Sequence, residues 1–122
     1  MDEHPFKQRT KGLALEVIRL ADSLPRNRIA EVVGRQLLRS GTSVGANCRA
    51  ACRGKSALDV IAKLGIVEEE ADESIYWMEL LVEGGVVPKE RVRALIKEAN
   101  EILAMTVASI KTLRRRNQRA AP

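Results

Sequence analysis

Apolar residues recur at alternating steps of three and four along four long stretches of the chain, and no stretch alternates with a period of two. That spacing puts the apolar positions on one stripe of an α-helix and off any strand face. The first stretch runs from about Phe6 to Ser23, with Leu13, Ala14, Val17, Leu20 and Ala21 on its stripe. It ends at Leu24-Pro25-Arg26-Asn27, because the residue before a proline avoids the helical region. The second runs from about Arg28 to Arg53 with a seam of Ala30, Val33, Leu37, Ser40, Val44, Asn47 and Ala51. Gly41 and Gly45 lie beside that seam, where the missing side chains admit a close neighbouring helix. Gly54-Lys55 breaks the chain, and Ser56 with Asp59 three residues on forms an approximate capping box. The third stretch reaches about Glu83 with Val60, Leu64, Val67, Ala71, Ser74, Met78 and Leu81 in register. Gly84-Gly85 closes it, Pro88 suits the first turn of a helix, and the fourth stretch extends to about Arg115. Its stripe is Val92, Leu95, Ile96, Ala99, Ile102, Leu103, Val107, Ile110 and Leu113.

Four long helices joined by short loops predict one all-α domain over residues 1–122, an antiparallel up-and-down four-helix bundle. The basic segment 114–122 is expected to be a disordered tail. Only Phe6, Tyr76 and Trp77 are aromatic, so the core must be aliphatic. The third helix ends apolar on several faces. Ile75, Tyr76, Trp77, Leu80 and Leu81 are therefore expected to meet a second copy of the chain, since a helix in a lone bundle needs only one buried stripe. Ser40 and Asn47 on the second helix's seam are expected to be structural polar residues that fix register and assembly.

Charge is unevenly placed. The chain carries eleven basic and five acidic side chains up to Lys55, one and eight over residues 56–85, and nine and three thereafter. The acidic run Glu68, Glu69, Glu70, Asp72 and Glu73 is expected to pair with cations of neighbouring helices or to face solvent. Two basic clusters, Arg35, Arg39, Arg49, Arg53 and Lys55 and then Arg114, Arg115, Arg116 and Arg119, are candidates for contact with RNA or DNA phosphates, with a sequence pI of about 9.6 behind them.

No nucleophile, base and orienting group assemble in the sequence, so no enzyme, no catalytic residue and no small-molecule substrate are expected. Cys48 and Cys52 sit one helical turn apart and read as reduced thiols behaving as small hydrophobes. A zinc site wants four ligands, and His4 is the sole histidine, so no metal and no cofactor are expected. No run of about 18 apolar residues occurs, and no hydrophobic signal core opens the chain, so no membrane partner is expected and the location is read as cytoplasmic.

Several segments resemble one bacterial family. They are Ala14-x-x-Val17-Ile18 closing with Leu24-Pro25, then Gln36-Leu37-Leu38-Arg39-x-x-x-Ser43-Val44-Gly45-Ala46-Asn47, then Arg53-Gly54-Lys55-Ser56-x-x-Asp59, and Gly65 with Glu70 to Leu81. Together they are similar to the four helix bundle proteins, also called 23S rRNA intervening-sequence or S23-like proteins. The likeness spans about Phe6 to Leu113. Gly45 stands where that family usually has proline, and Ala50-Ala51 replace a usual Glu-Gly pair. The resemblance implies a ring-shaped homopentamer. It also extends to a pentameric accessory protein of diversity-generating retroelements that binds nucleic acid and a reverse transcriptase.

Overall fold

The computed structural model describes residues 3–120. It contains four α-helices, α1 (Glu3–Asp22), α2 (Arg28–Cys52), α3 (Ala57–Glu83) and α4 (Lys89–Ala120). Each neighbours the next around the bundle and α4 returns to α1, the expected up-and-down arrangement. The contact is broadest between α2 and α3 and narrowest between α1 and α4.

The breaks work as local chemistry dictates. The Asn27 side chain accepts the Ala30 N–H at 2.9 Å and so caps α2. Ser56 Oγ accepts the Asp59 N–H at 3.1 Å, while Asp59 Oδ2 reaches back to the Lys55 N–H. Gly85 takes φ of 75°, and the Val86 N–H returns to the Leu81 carbonyl at 2.9 Å. That is a Schellman ending, which needs a residue tolerant of the left-handed region.

The helix ends differ from expectation in two places. α1 starts at Glu3 and carries His4 and Pro5, because a proline costs little in a first turn, whose N–H groups have no intrahelical acceptor to lose. α4 does not stop at Arg115 but continues to Ala120, so residues 114–120 are helical rather than a disordered tail. No glycine or proline interrupts residues 114–120, and Arg, Gln and Ala favour helix. Residues 121–122 lie outside the described chain.

The core is aliphatic apart from Phe6. Leu13, Val17 and Leu20 of α1 meet Leu37 and Val44 of α2, Leu64, Val67, Met78 and Leu81 of α3, and Val92 and Ile102 of α4. Helix α2 departs from a single seam. It buries Gly34, Gly41, Gly45 and Cys48 beside Leu37, Ser40 and Val44, because it serves two neighbours. Gly41 and Gly45 take α1, and Gly34 takes Leu24 of the α1–α2 turn. A β-carbon at Gly41 would lie 2.8 Å from both γ-carbons of Val17, one at Gly34 would lie 2.9 Å from a Leu24 methyl, and one at Gly45 would lie 3.3 Å from the Thr10 carbonyl oxygen. The close approach predicted for Gly41 and Gly45 is thus an approach of α1.

Buried hydroxyls are all satisfied. Ser74 Oγ and Ser40 Oγ are 2.9 Å apart between α3 and α2, and Ser40 donates to the Leu37 carbonyl. Ser40 therefore holds the core position expected of it. Asn47 does not. It is half-buried and its amide donates to the Ser43 carbonyl of its own helix at 2.9 Å. The seam drifts from a strict heptad along a straight helix, so Cys48 rather than Asn47 faces inward. Thr10 and Thr106 are fully buried and bond to the carbonyls of Lys7 and Ile102, positions that apolar periodicity passes over.

The thin α1–α4 seam is clamped by Arg9. Its Nε donates to Glu98 at 3.0 Å, a second nitrogen reaches the other Glu98 oxygen, and Nη1 lies 3.1 Å from the Met105 sulfur. The hydrogen bonds from Arg9 hold the Glu98 carboxyl below the ordinary carboxylate range, against the desolvation that opposes them.

A Gly65→Ala change adds a methyl where nothing lies within 4 Å, so it is expected to raise stability by up to ~1 kcal/mol through helix propensity. Gly41→Ala gains the same propensity but overpacks against Val17, at roughly 1–3 kcal/mol, and is expected to be net destabilising. Denaturant melts of the two variants check this, and equal stabilisation would show that α1 has room to retreat. Because the folded Glu98 binds its proton less readily than the unfolded chain, its contribution is present above the unfolded carboxylate pKa of ~4.3 and is lost as pH falls through the lower folded value. Arg9→Gln is therefore expected to lower stability at neutral pH and to flatten its decline below about pH 5, read by thermal melts from pH 3 to 7.

Candidate nucleic-acid interface

Alternating helix direction gathers the start of α1, the end of α2, the start of α3 and the end of α4 at one end of the bundle. Cys52 at the end of α2 and Gly54 of the α2–α3 turn line the same cleft as Thr112 and Arg116 of α4. Two basic clusters separated by some sixty residues in sequence are thereby joined. Arg49, Arg53 and Lys55 come from one, and Arg114, Arg115, Arg116 and Arg119 from the other. All seven are exposed, and none of their side chains has an ion pair or hydrogen bond among the described residues. The last two turns of α4 hold their four arginines on a rigid rod rather than on a loose tail.

Arg35 and Arg39 do not join them. Arg35 is 18 positions before Arg53, roughly 27 Å along α2, and lines a groove at the opposite end of the molecule. Arg39 turns onto α3, where it meets Glu70 at 3.1 Å and also pairs with Glu73. Desolvation pushes Glu73 up, but hydrogen bonds from Arg39 and Trp77 outweigh it and leave the carboxyl below its usual range. The pairing expected of the acidic run is thus made by Glu70 and Glu73.

The surface expected to meet another copy is largely internal. Ile75 and Leu81 are buried by their own chain, and Trp77 packs half-buried against the core with its indole N–H on Glu73 at 3.1 Å. Leu80 is half-buried, and Tyr76 alone of the five is exposed, its ring edge-on to Trp77 at 5.1 Å. The correction has a simple cause: α3 lies between α2 and α4 and spends two faces on them. Apart from Leu58 and Tyr76 of α3, the exposed large apolar side chains among the described residues sit on α1 and α2. Ile18 and Leu38 border a groove floored by Leu24, Ala30 and Gly34, and Leu15 lies one turn before Ile18.

Cys48 is buried and Cys52 half-buried, with no disulfide between them. Desolvation pushes the Cys48 thiol up to about 11, well away from a reactive thiolate. No group of three or more metal-ligating side chains converges among the described residues. No described helix is long and apolar enough to cross a membrane.

The family described as 23S rRNA-intervening sequence protein matches residues 3–108. A crystal structure from Bacteroides thetaiotaomicron, of a protein with unknown function from the S23 ribosomal protein family, is 33% identical to this chain. It superposes with a TM-score of 0.85 and the match covers 91% of this chain and 99% of that one. No curated protein matches the sequence.

Proposed function

The chain belongs to the 23S rRNA-intervening sequence protein family, and within it we propose that the protein is a non-enzymatic interaction module whose basic end binds the phosphate backbone of RNA or DNA. One observation carries this reading: the fold joins two distant arginine clusters at a single end and leaves them without an ion pair among the described residues, while Arg39 is neutralised elsewhere. A cationic surface without stacking aromatics favours backbone contact over base readout. Expected binding is therefore tolerant of sequence and steeply dependent on salt. Neutralising Arg114, Arg115 and Arg116 to Gln, or Arg49 and Arg53 to Gln, should each weaken binding and reduce the slope of log K against log salt by about 1–3. Filter binding to an RNA duplex and a single strand over a salt series measures this, and slopes unaltered in both variants would remove the proposal.

The same module is proposed to act as a homo-oligomer, as the bundle's exposed α1–α2 face favours. Leu15, Ile18 and Leu38 form an apolar rim that a solitary protein would leave wet. A ring of five copies, the assembly implied by the sequence resemblance, would present the basic end repeatedly and multiply weak phosphate contacts. Light scattering is expected to return a multiple of the 13.5 kDa chain mass that falls to one chain in Ile18→Glu/Leu38→Glu. A monomeric native protein at micromolar concentration would refute this part alone.

A further inference from the structure

The bundle's basic end also contains an opening. α4 outruns its neighbours there, and the aliphatic side chains beneath it are too short to fill the space. The result is a cleft of about 730 Å³ between the first turns of α1 and α3 and the last turns of α2 and α4. That volume lies in the range of small-molecule sites, ~300–1,000 Å³. Phe6, Val60, Leu64, Met105 and Leu113 are among its lining residues. Polar groups are few: the Ser109 and Thr112 hydroxyls, the two thiols, and Arg116. No carboxylate lines it among the described residues. Arg116 is exposed and without an ion-pair partner among the described residues, and Lys7 lies close enough for its charge to reach the Cys48 thiol.

We propose that this cleft binds a single-chain organic carboxylate, its alkyl tail among Phe6, Val60, Leu64 and Met105 and its head on Arg116. Each half of that ligand answers an observation. The wall offers too few hydrogen-bonding groups for a sugar or a nucleobase, whose unpaired polar atoms would be costly to desolvate. An alkyl chain needs none. The guanidinium at the cleft supplies the forked donors that suit a carboxylate, and the surrounding arginines make an anion the favoured head group. The resting Cys48 thiol, protonated by its apolar surroundings, takes no part beyond packing.

Dodecanoate below its micelle concentration is the probe, titrated calorimetrically into the full-length protein, with dodecanol as the uncharged comparison. Saturable binding of one dodecanoate per chain is expected. Arg116→Gln should weaken it by about tenfold and leave dodecanol unchanged, in keeping with the ~1.5–3 kcal/mol of a charge-assisted hydrogen bond. Ala108 is exposed and lines the cleft, so Ala108→Phe should block both ligands without disturbing the core. A circular dichroism melt confirms that each variant folds, and Thr112→Phe, at another exposed lining position, serves if Ala108→Phe does not. Absence of saturable binding overturns the proposal. So does binding that survives the filled cleft, or that is lost in Ile18→Glu, which would place the ligand in the α1–α2 groove.

Discussion

Helix α1 rests almost directly on the backbone of α2 at Gly41 and Gly45, and Gly34 admits Leu24 of the turn that joins the two helices. Val17, Leu24 and the Thr10 carbonyl occupy the volume that side chains on α2 would take. Everything else follows from the closeness of this pair. A chain with three aromatics has little bulk with which to span wide gaps, so its helices must approach until Leu, Val and Ile can interdigitate. The glycines cost helix propensity where they stand. The close packing of Leu13, Val17 and Leu20 against Leu37 and Val44 offsets that cost.

Polar groups then make the aliphatic bundle specific. The Ser40–Ser74 contact adds a directional hydrogen bond between α2 and α3 to an otherwise apolar seam. Thr10 and Thr106 return their hydroxyls to their own helices and so enter the core without demanding partners from others. At the α1–α4 seam, where apolar contact is thinnest, the forked guanidinium of Arg9 holds Glu98 and lies against Met105. That arrangement places a directional interaction where the non-directional one is weak.

The charge pattern along the sequence acquires meaning only in three dimensions. Acidic α3 neutralises Arg39 of α2, the helix with which it shares the broadest contact. Arg49, and Arg53 just past the end of α2, lie beyond the reach of the acidic middle of α3 and find themselves beside the end of α4. Linear proximity suggested that Arg35, Arg39, Arg49 and Arg53 form one cluster, yet they lie along most of a helix about 38 Å long. Likewise the apolar end of α3 looked like surplus surface, because a sequence cannot say how many neighbours a helix has. With two neighbours, Ile75 and Leu81 have nowhere to go but inward.

The sequence by itself determined the four helices, their breaks and the bundle class, because helix periodicity, caps and glycine endings act within a few residues. The seam of α3 from Leu64 to Leu81 was legible for that reason, and so was the burial of Ser40. Tertiary structure alone decided which arginines are spent on carboxylates, which are left in solvent, and that α1 takes the glycine face of α2. It also decided that an open apolar cleft lies under Arg116. Those outcomes depend on the angle of each residue around its helix axis and on which helix stands opposite, quantities that residues far apart in the chain set jointly.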